Sequence, residues 1–184
     1  MAGLLWIASR NDNRLSLADF GGSLGSTYFQ NRDFLSHLKY LSWNIIELKQ
    51  YVDFGKLHLE DSNLHFYYNL DECIKEQQPD AILLSSVLMY IEEPYALLDK
   101  IKKNGFNYIL FDRTAFVTAT DDILTVQKVP PEIYNANYPC WFFNLDKFLN
   151  FFSDSYNIIA EFNGFEQANI ESSIFKGFIF ERRH

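Results

Sequence analysis

Cysteine is scarce in this 184-residue chain: Cys73 and Cys140 stand alone and far apart. That excludes a disulfide framework and fits a reducing compartment, so the expected location is cytoplasmic. Long hydrophobic runs are missing too, and no stretch approaches the ~20 apolar residues of a membrane-spanning helix. The opening Met1-Ala2-Gly3-Leu4-Leu5-Trp6-Ile7 lacks the basic flank and longer apolar core of a secretory signal. Positive charge is thin as well. The net charge is -8, and the densest basic cluster, Lys100, Lys102 and Lys103, falls at an expected helix end, where cations complement the carbonyl dipole. A duplex-binding surface needs a cationic face to displace counterions, so nucleic acid is not an expected partner. The four histidines, His37, His58, His65 and His184, show no ligand spacing with the cysteines or acids, and no metal is expected.

What is present is a globular composition of a length that suits one domain over residues 1–184. Aromatics are abundant, with 18 Phe and 11 Tyr, which a core or a ring-lined pocket would absorb equally well.

Apolar segments alternate in type along the chain. Residues 15–20 form a short apolar run that ends in Gly21-Gly22 and reads as a buried strand entering a tight turn. Residues 26–41 then carry Phe29, Phe34, Leu38 and Leu41 at helical spacing. Further strands are expected at 43–47, 64–68, 80–85 and 108–111, with helices at 51–60, 70–77 and 94–103. Pro79 ends the second of these helices, while Pro94 opens the third and Gly105 closes it. Strand and helix thus alternate five times, which is the pattern of a parallel sheet with crossover helices. Residues 113–143, with Pro130, Pro131 and Pro139, read as an irregular segment long enough to serve as a lid. A helix at 145–152 and two strands at 156–162 and 173–180 complete the pass. Strands joined without a helix are expected to be antiparallel. The expected fold class is therefore α/β: a Rossmann-like, mostly parallel seven-stranded sheet flanked by helices, its last strand pair antiparallel.

The segment Asp19-Phe20-Gly21-Gly22-Ser23-Leu24-Gly25 is the most informative. A glycine-rich turn between strand and helix lets backbone approach a ligand, and the helix terminus adds free amides. Glu47 closes the second strand about twenty residues further on, where an acid commonly binds ribose hydroxyls. A dinucleotide fingerprint would be the usual reading, but Ser23 and Ser26 occupy its second and third glycine positions. A nicotinamide-dependent oxidoreductase therefore stands only as an alternative. The phosphate-loop pattern fails for want of a Gly-Lys-Ser/Thr.

An acid followed by alternating glycines, here Asp19, Gly21 and Gly25 with Ser23 for the middle glycine, resembles the first motif of Rossmann-like (class I) S-adenosylmethionine-dependent methyltransferases. The run from Leu83 to Pro94 is similar to the segment after their fourth strand. As a set, DFGGSLGSTYFQ, LLSSVLMYIEEPYALL, FDRTAF and YPCWFF resemble a bacterial methyltransferase family of unassigned substrate, over about residues 4 to 180. Members of that family are longer at the N-terminus, so the resemblance implies a chain without a helical cap over its site.

The resemblance implies S-adenosylmethionine as cofactor, with S-adenosylhomocysteine as product, held by Asp19, Gly21, Gly22, Ser23 and Gly25 at the methionine end. It implies Glu47 on the ribose, Leu48 against adenine, Tyr68 and Asn69 at the adenine edge, and Ser85 and Ser86 beside the methionine part. Asp112, Arg113 and Thr114, ending the fifth strand, are the candidates for acceptor chemistry; an ordinary Asp112–Arg113 ion pair is the competing reading. Tyr138, Cys140 and Trp141 belong to the expected lid, and Tyr90 is a further acceptor candidate. Catalysis is thus assigned to Asp112, Arg113 and Tyr138. Cys140 is not expected to be a nucleophile, since no activating histidine stands near it in sequence. The expected activity is methyl transfer to a small-molecule or sugar-linked acceptor. A cofactor-binding module without turnover is the other alternative, and the oligomeric state stays open.

Overall fold

The computed structural model describes residues 1–129, 131–132 and 135–183; Pro130 and His184 lie outside them. Among the described residues six helices and nine strands follow in the order α1 (Ala2–Arg10), β1 (Arg14–Phe20), α2 (Ser26–Leu35), β2 (Tyr40–Ile46), α3 (Lys49–His58), β3 (Leu64–Tyr67), α4 (Leu70–Gln77), β4 (Ala81–Ser85), α5 (Pro94–Asn104), β5 (Tyr108–Val117), β6 (Ile123–Lys128), β7 (Asn137–Asn144), α6 (Leu145–Phe152), β8 (Tyr156–Asn163) and β9 (Ser173–Arg182). A short 3-10 turn, Leu88–Tyr90, separates β4 from α5. The chain forms two compact units, residues 1–85 with 106–110 and residues 86–105 with 111–184, so that β5 begins in the first and ends in the second. Among the described residues no helix is long and apolar enough to cross a membrane.

In the first unit the strand order is β3-β2-β1-β4, followed by the start of β5. The pairs β1–β2, β1–β4 and β2–β3 are all parallel. Each strand is buried on both faces, which is why these segments read as continuous apolar runs. Trp43, Phe66, Leu15 and Ile82 are fully enclosed. Local chemistry sets the helix limits. The Asn69 side chain accepts from Glu72 N at 3.0 Å and so caps α4, which ends at Gln78 in left-handed geometry just before Pro79. Helix α2 stops at Leu35, earlier than its apolar spacing suggested. The chain must turn there to enter β2 at Tyr40, and Leu41 becomes a strand residue paired with Leu15.

The second unit is built on phenylalanine. Phe111, Phe116, Phe148, Phe152, Phe178 and Phe180 are buried and meet edge-to-face or tilted, with Phe111 and Phe148 centroids 5.0 Å apart and Phe116 and Phe148 also 5.0 Å apart. Most of the phenylalanines are thus core, while Phe34, Phe54, Phe162 and Phe165 are exposed. Strands β8 and β9 pair antiparallel, as their helix-free connection implied. The seven expected strands are all present, and two more arise inside the stretch read as irregular. Strand β5 continues to Val117, and β6 and β7 form an antiparallel ribbon. Pro139 lies within β7 opposite Val126 of β6, while β7 meets β5 only at Phe143 and Asn144.

Candidate functional site

The first unit brings most of the sequence-derived residues to one end of one sheet. Phe20, the last residue of β1, is level with Ile46 of β2 and Leu84 of β4, and Ile46 is level with Tyr67 of β3. The loop of residues 21–25, Glu47 with Leu48, Tyr68 with Asn69, and Ser85 therefore all leave the sheet at its carboxyl end. Strand β1 has β2 on one side and β4 on the other, so the chain reverses its direction of winding here. Such a switch point is where open α/β sheets take their ligands.

The loop itself is held by backbone. Gly21 N donates to Ile46 O at 2.9 Å and Gly25 N to Gly22 O at 3.0 Å. Gly21, Ser23 and Gly25 all have positive φ, at 76°, 51° and 83°. Three left-handed residues in alternation explain the alternating glycines of the motif, and the serine occupies the middle position in the same conformation, which a short polar side chain tolerates best outside glycine. Gly22 is required for a different reason. A Cβ there would lie 2.6 Å from Asp19 Oδ2.

Asp19 is the chemical centre of this loop. It is 2% exposed and accepts from Trp43 Nε1 at 2.9 Å. Burial pushes its carboxyl up to about 7, against the lowering effect of the Trp43 bond and with a smaller upward contribution from the Glu47 charge. An acid poised near neutrality, enclosed and joined to one donor, is suited to a cationic partner that restores its ionised form. Trp43 had no assigned role in the sequence reading; the signal available was that a buried acid needs a donor and Trp43 is the polar-tipped residue of the adjacent strand.

Glu47 Oε2 accepts from Leu48 N at 2.6 Å. Leu48 is 63% exposed, an uncovered apolar side chain beside this carboxylate. Asn69 is committed to capping α4 through its side-chain oxygen. The Tyr68 hydroxyl donates to Asp53 Oδ1 at 2.9 Å, with Lys56 4.8 Å from its ring centroid.

The second unit holds the residues assigned to acceptor chemistry. Asp112, Arg113 and Thr114 lie within β5, because the strand runs on past them. Arg113 has φ 51°, a kink that a bulky residue adopts only at a cost. Its Nε stands 3.3 Å from Asp112 Oδ2 and 3.8 Å from Glu166 Oε1. The ion pair weighed against a catalytic role is therefore present, and Glu166 is a member that sequence reasoning missed. Ser86, also left-handed at φ 55°, donates its amide to Asp112 O at 2.9 Å. Thr114 is buried, and its hydroxyl has no hydrogen-bond partner among the described residues. Tyr138 lies in β7, its ring edge-to-face with Tyr90 at 5.3 Å, and the Tyr90 hydroxyl donates to Gln127 Oε1 at 3.0 Å. Burial pushes the Cys140 thiol up to about 11, which keeps it protonated and unreactive at neutral pH. Among the described residues no group of three or more His, Cys, Asp or Glu side chains is placed to hold a metal.

No protein-family model matches the chain, and no curated protein matches it by sequence. Solved structures do match it by fold. The chain is similar to the magnesium protoporphyrin IX methyltransferase ChlM from Synechocystis PCC 6803 with bound S-adenosylmethionine, at 11% identity and TM-score 0.62 over 99% of this chain and 77% of that one. A SAM-dependent methyltransferase from Methanosarcina mazei gives 10% identity and TM-score 0.62 over 93% of each chain. The glycopeptide N-methyltransferase MtfA complexed with sinefungin gives 9% and 0.54 over 94% and 90%. The fold is that of the Rossmann-like, class I methyltransferases.

Proposed function

We propose that this chain binds S-adenosylmethionine at the carboxyl end of β1 and β2 and transfers its methyl group to a small-molecule or sugar-linked acceptor. One observation carries the reading: the left-handed turn of residues 21–25 lies against a buried acid, Asp19, whose ionisation is held back by burial. The cofactor's ammonium and sulfonium charges would favour its ionised form. Glu47, at the end of the next strand, has one oxygen on Leu48 N and its other oxygen without a hydrogen bond among the described residues, which suits it to ribose hydroxyls. Leu48, exposed beside it, would cover adenine, with Tyr68 further along the same strand ends. The amides of Gly22 and Ser23 and the termini at Ser85 and Ser86 would line the methionine part. When bound, the cofactor supplies an electrophilic methyl carbon on sulfur. The acceptor residues, Asp112, Arg113 and Tyr138, would orient the nucleophile. Positioning of this kind contributes on the order of 7–11 kcal/mol to lowering such a barrier. Asp112 would also take a proton where the acceptor arrives as a hydroxyl or ammonium.

Calorimetric titration with S-adenosylhomocysteine and, separately, with NAD tests the cofactor reading. Saturable binding of the former, lost in Gly21→Val and in Asp19→Ala, is expected. Binding of NAD alone would move the chain to the oxidoreductases. Turnover on a panel of sugar nucleotides and small metabolites then separates an enzyme from a binding module, for which S-adenosylhomocysteine would bind and no product would form.

A further inference from the structure

Strand β6 is the outermost strand on its side of the sheet, and it lacks the devices that keep an edge from pairing. Edge strands are commonly blunted by proline, by inward charge or by a bulge. Ile123–Lys128 contains no proline and a single charge, at its last position, and its register against β7 runs unbroken from Ile123 to Lys128. Side chains alternate along a strand, so Leu124, Val126 and Lys128 share a face. On it Leu124 stands opposite Trp141 and Val126 opposite Pro139. Leu124 is 54% and Val126 61% exposed, more than an apolar ribbon face ordinarily leaves in water.

Beside this face lies a cavity of about 420 Å³ whose lining includes Glu93, Tyr95, Asp121, Asp122, Trp141 and Lys147. Its one cation, Lys147, is taken by Asp122, which also accepts from the Tyr95 hydroxyl and from Asn144 N. Among the described residues the Glu93 carboxylate has no hydrogen bond or ion pair, and the Asp121 carboxylate meets only the hydroxyl of Thr120. The cavity has acidic charge to spare and two aromatic walls, a setting that favours one more cation.

We propose that a second copy of this chain occupies the edge, with the two β6 strands antiparallel about a twofold axis at Thr125. In that register Leu124 of each copy faces Val126 of the other, and Lys128 of each falls opposite Asp122, one of the acids lining the other's cavity. The strand is complementary to itself in this alignment. A slip of one residue sets Leu124 and Val126 against Thr125 and its odd-numbered neighbours, and a slip of two sets Lys128 opposite Leu124 or Val126 opposite Asp122. The contact is isologous and closes at two copies.

Sedimentation velocity of the full chain across the micromolar range tests this, and neither outcome bears on cofactor binding. A concentration-dependent dimer is expected, with its dissociation constant raised about tenfold or more in Val126→Lys and also raised in Lys128→Glu. Both replaced side chains are exposed, so circular dichroism should report an unchanged fold. Register is read by oxidation: Leu124→Cys mixed with Val126→Cys should give a disulfide-linked dimer, whereas each variant alone should give little. A wild-type chain that stays monomeric, or a dimer indifferent to both charge changes, overturns the proposal.

Discussion

The two units bury different chemistry. The first encloses Ser16, Asp19, Ser42 and Asn44 among its aliphatic strands, whereas Thr114 is the buried polar side chain of the second, where phenylalanines fill the interior. The polar groups of the first unit are largely satisfied: Asn44 Nδ2 donates to Leu17 O at 3.0 Å and to Ser42 Oγ at 3.0 Å, joining β1 to β2, and Asp19 is met by Trp43. Directional bonds of this kind fix which residue faces which, and so hold the loop above Asp19 in place. Ring packing in the second unit gives cohesion with less demand on direction. The proposed binding chemistry thus falls where geometry is enforced by hydrogen bonds, and the second unit's cohesion rests on packed rings.

The strongest way to break this contrast is to remove a ring. Phe148 contacts Phe111, Phe116, Phe143, Phe152, Phe178 and Phe180. Phe148→Ala should cost about 3–5 kcal/mol, seen as a lower urea midpoint, because no neighbour can fill the space without leaving its own partners. A loss below about 1 kcal/mol would mean that the ring cluster is more compliant than its packing indicates.

A second, smaller effect comes from Asp19. Its carboxyl stands near 3.8 in an unfolded chain and at about 7 in the fold. The native state therefore holds a proton that the unfolded state has released over this window. Stability should be greatest below about 3.8 as far as this group is concerned, fall as pH rises toward 7, and level off above it, a change on the order of a few kcal/mol. Asp19→Asn keeps an acceptor for Trp43 and should flatten the slope, measured by thermal melts from about pH 4 to about pH 8. Affinity for S-adenosylhomocysteine should move the opposite way and strengthen as the carboxylate ionises, since its ammonium group favours the charged form. Melts with the same slope in wild type and Asp19→Asn would remove Asp19 from the account.

Much of this arrangement was readable from the chain. Buried parallel strands announce themselves as uninterrupted apolar runs, the first closed by Gly21 and two others preceded by Pro79 and Gly105, which end the helices before them, and the acid–glycine loop follows the first. What escaped reading escaped for physical reasons. Asp112 and Arg113 interrupt the apolar run of β5, so its continuation to Val117 was hidden. Strand β6 turns its apolar side chains to solvent and β7 contains Pro139, so neither carries the usual strand signature. Glu166 meets Arg113 through a connection between β8 and β9, a contact that no local spacing encodes. Trp43 was visible as a strand residue, but its bond to Asp19 depends on the two strands sharing a register.

The smallest expected effect separates two roles for one residue. The methyltransferase resemblance implies Asn69 at the adenine edge, and its side-chain oxygen caps α4 by accepting from Glu72 N. Removing a cap of this type costs about 1 kcal/mol. Asn69→Ala should lose that amount in chemical denaturation, while Asn69→Asp should retain it, because a carboxylate at a helix N-terminus accepts the same amide and complements the dipole. The two substitutions then diverge at the ligand. If Asn69 acts only as a cap, both variants should bind S-adenosylhomocysteine as the wild type does. If its amide also reads adenine, Asn69→Asp should bind more weakly despite its intact helix, since a carboxylate offers no N–H to the base. Unchanged affinity in Asn69→Asp would confine the residue to helix formation and leave Glu47, Leu48 and Tyr68 as the proposed nucleoside contacts of the first unit.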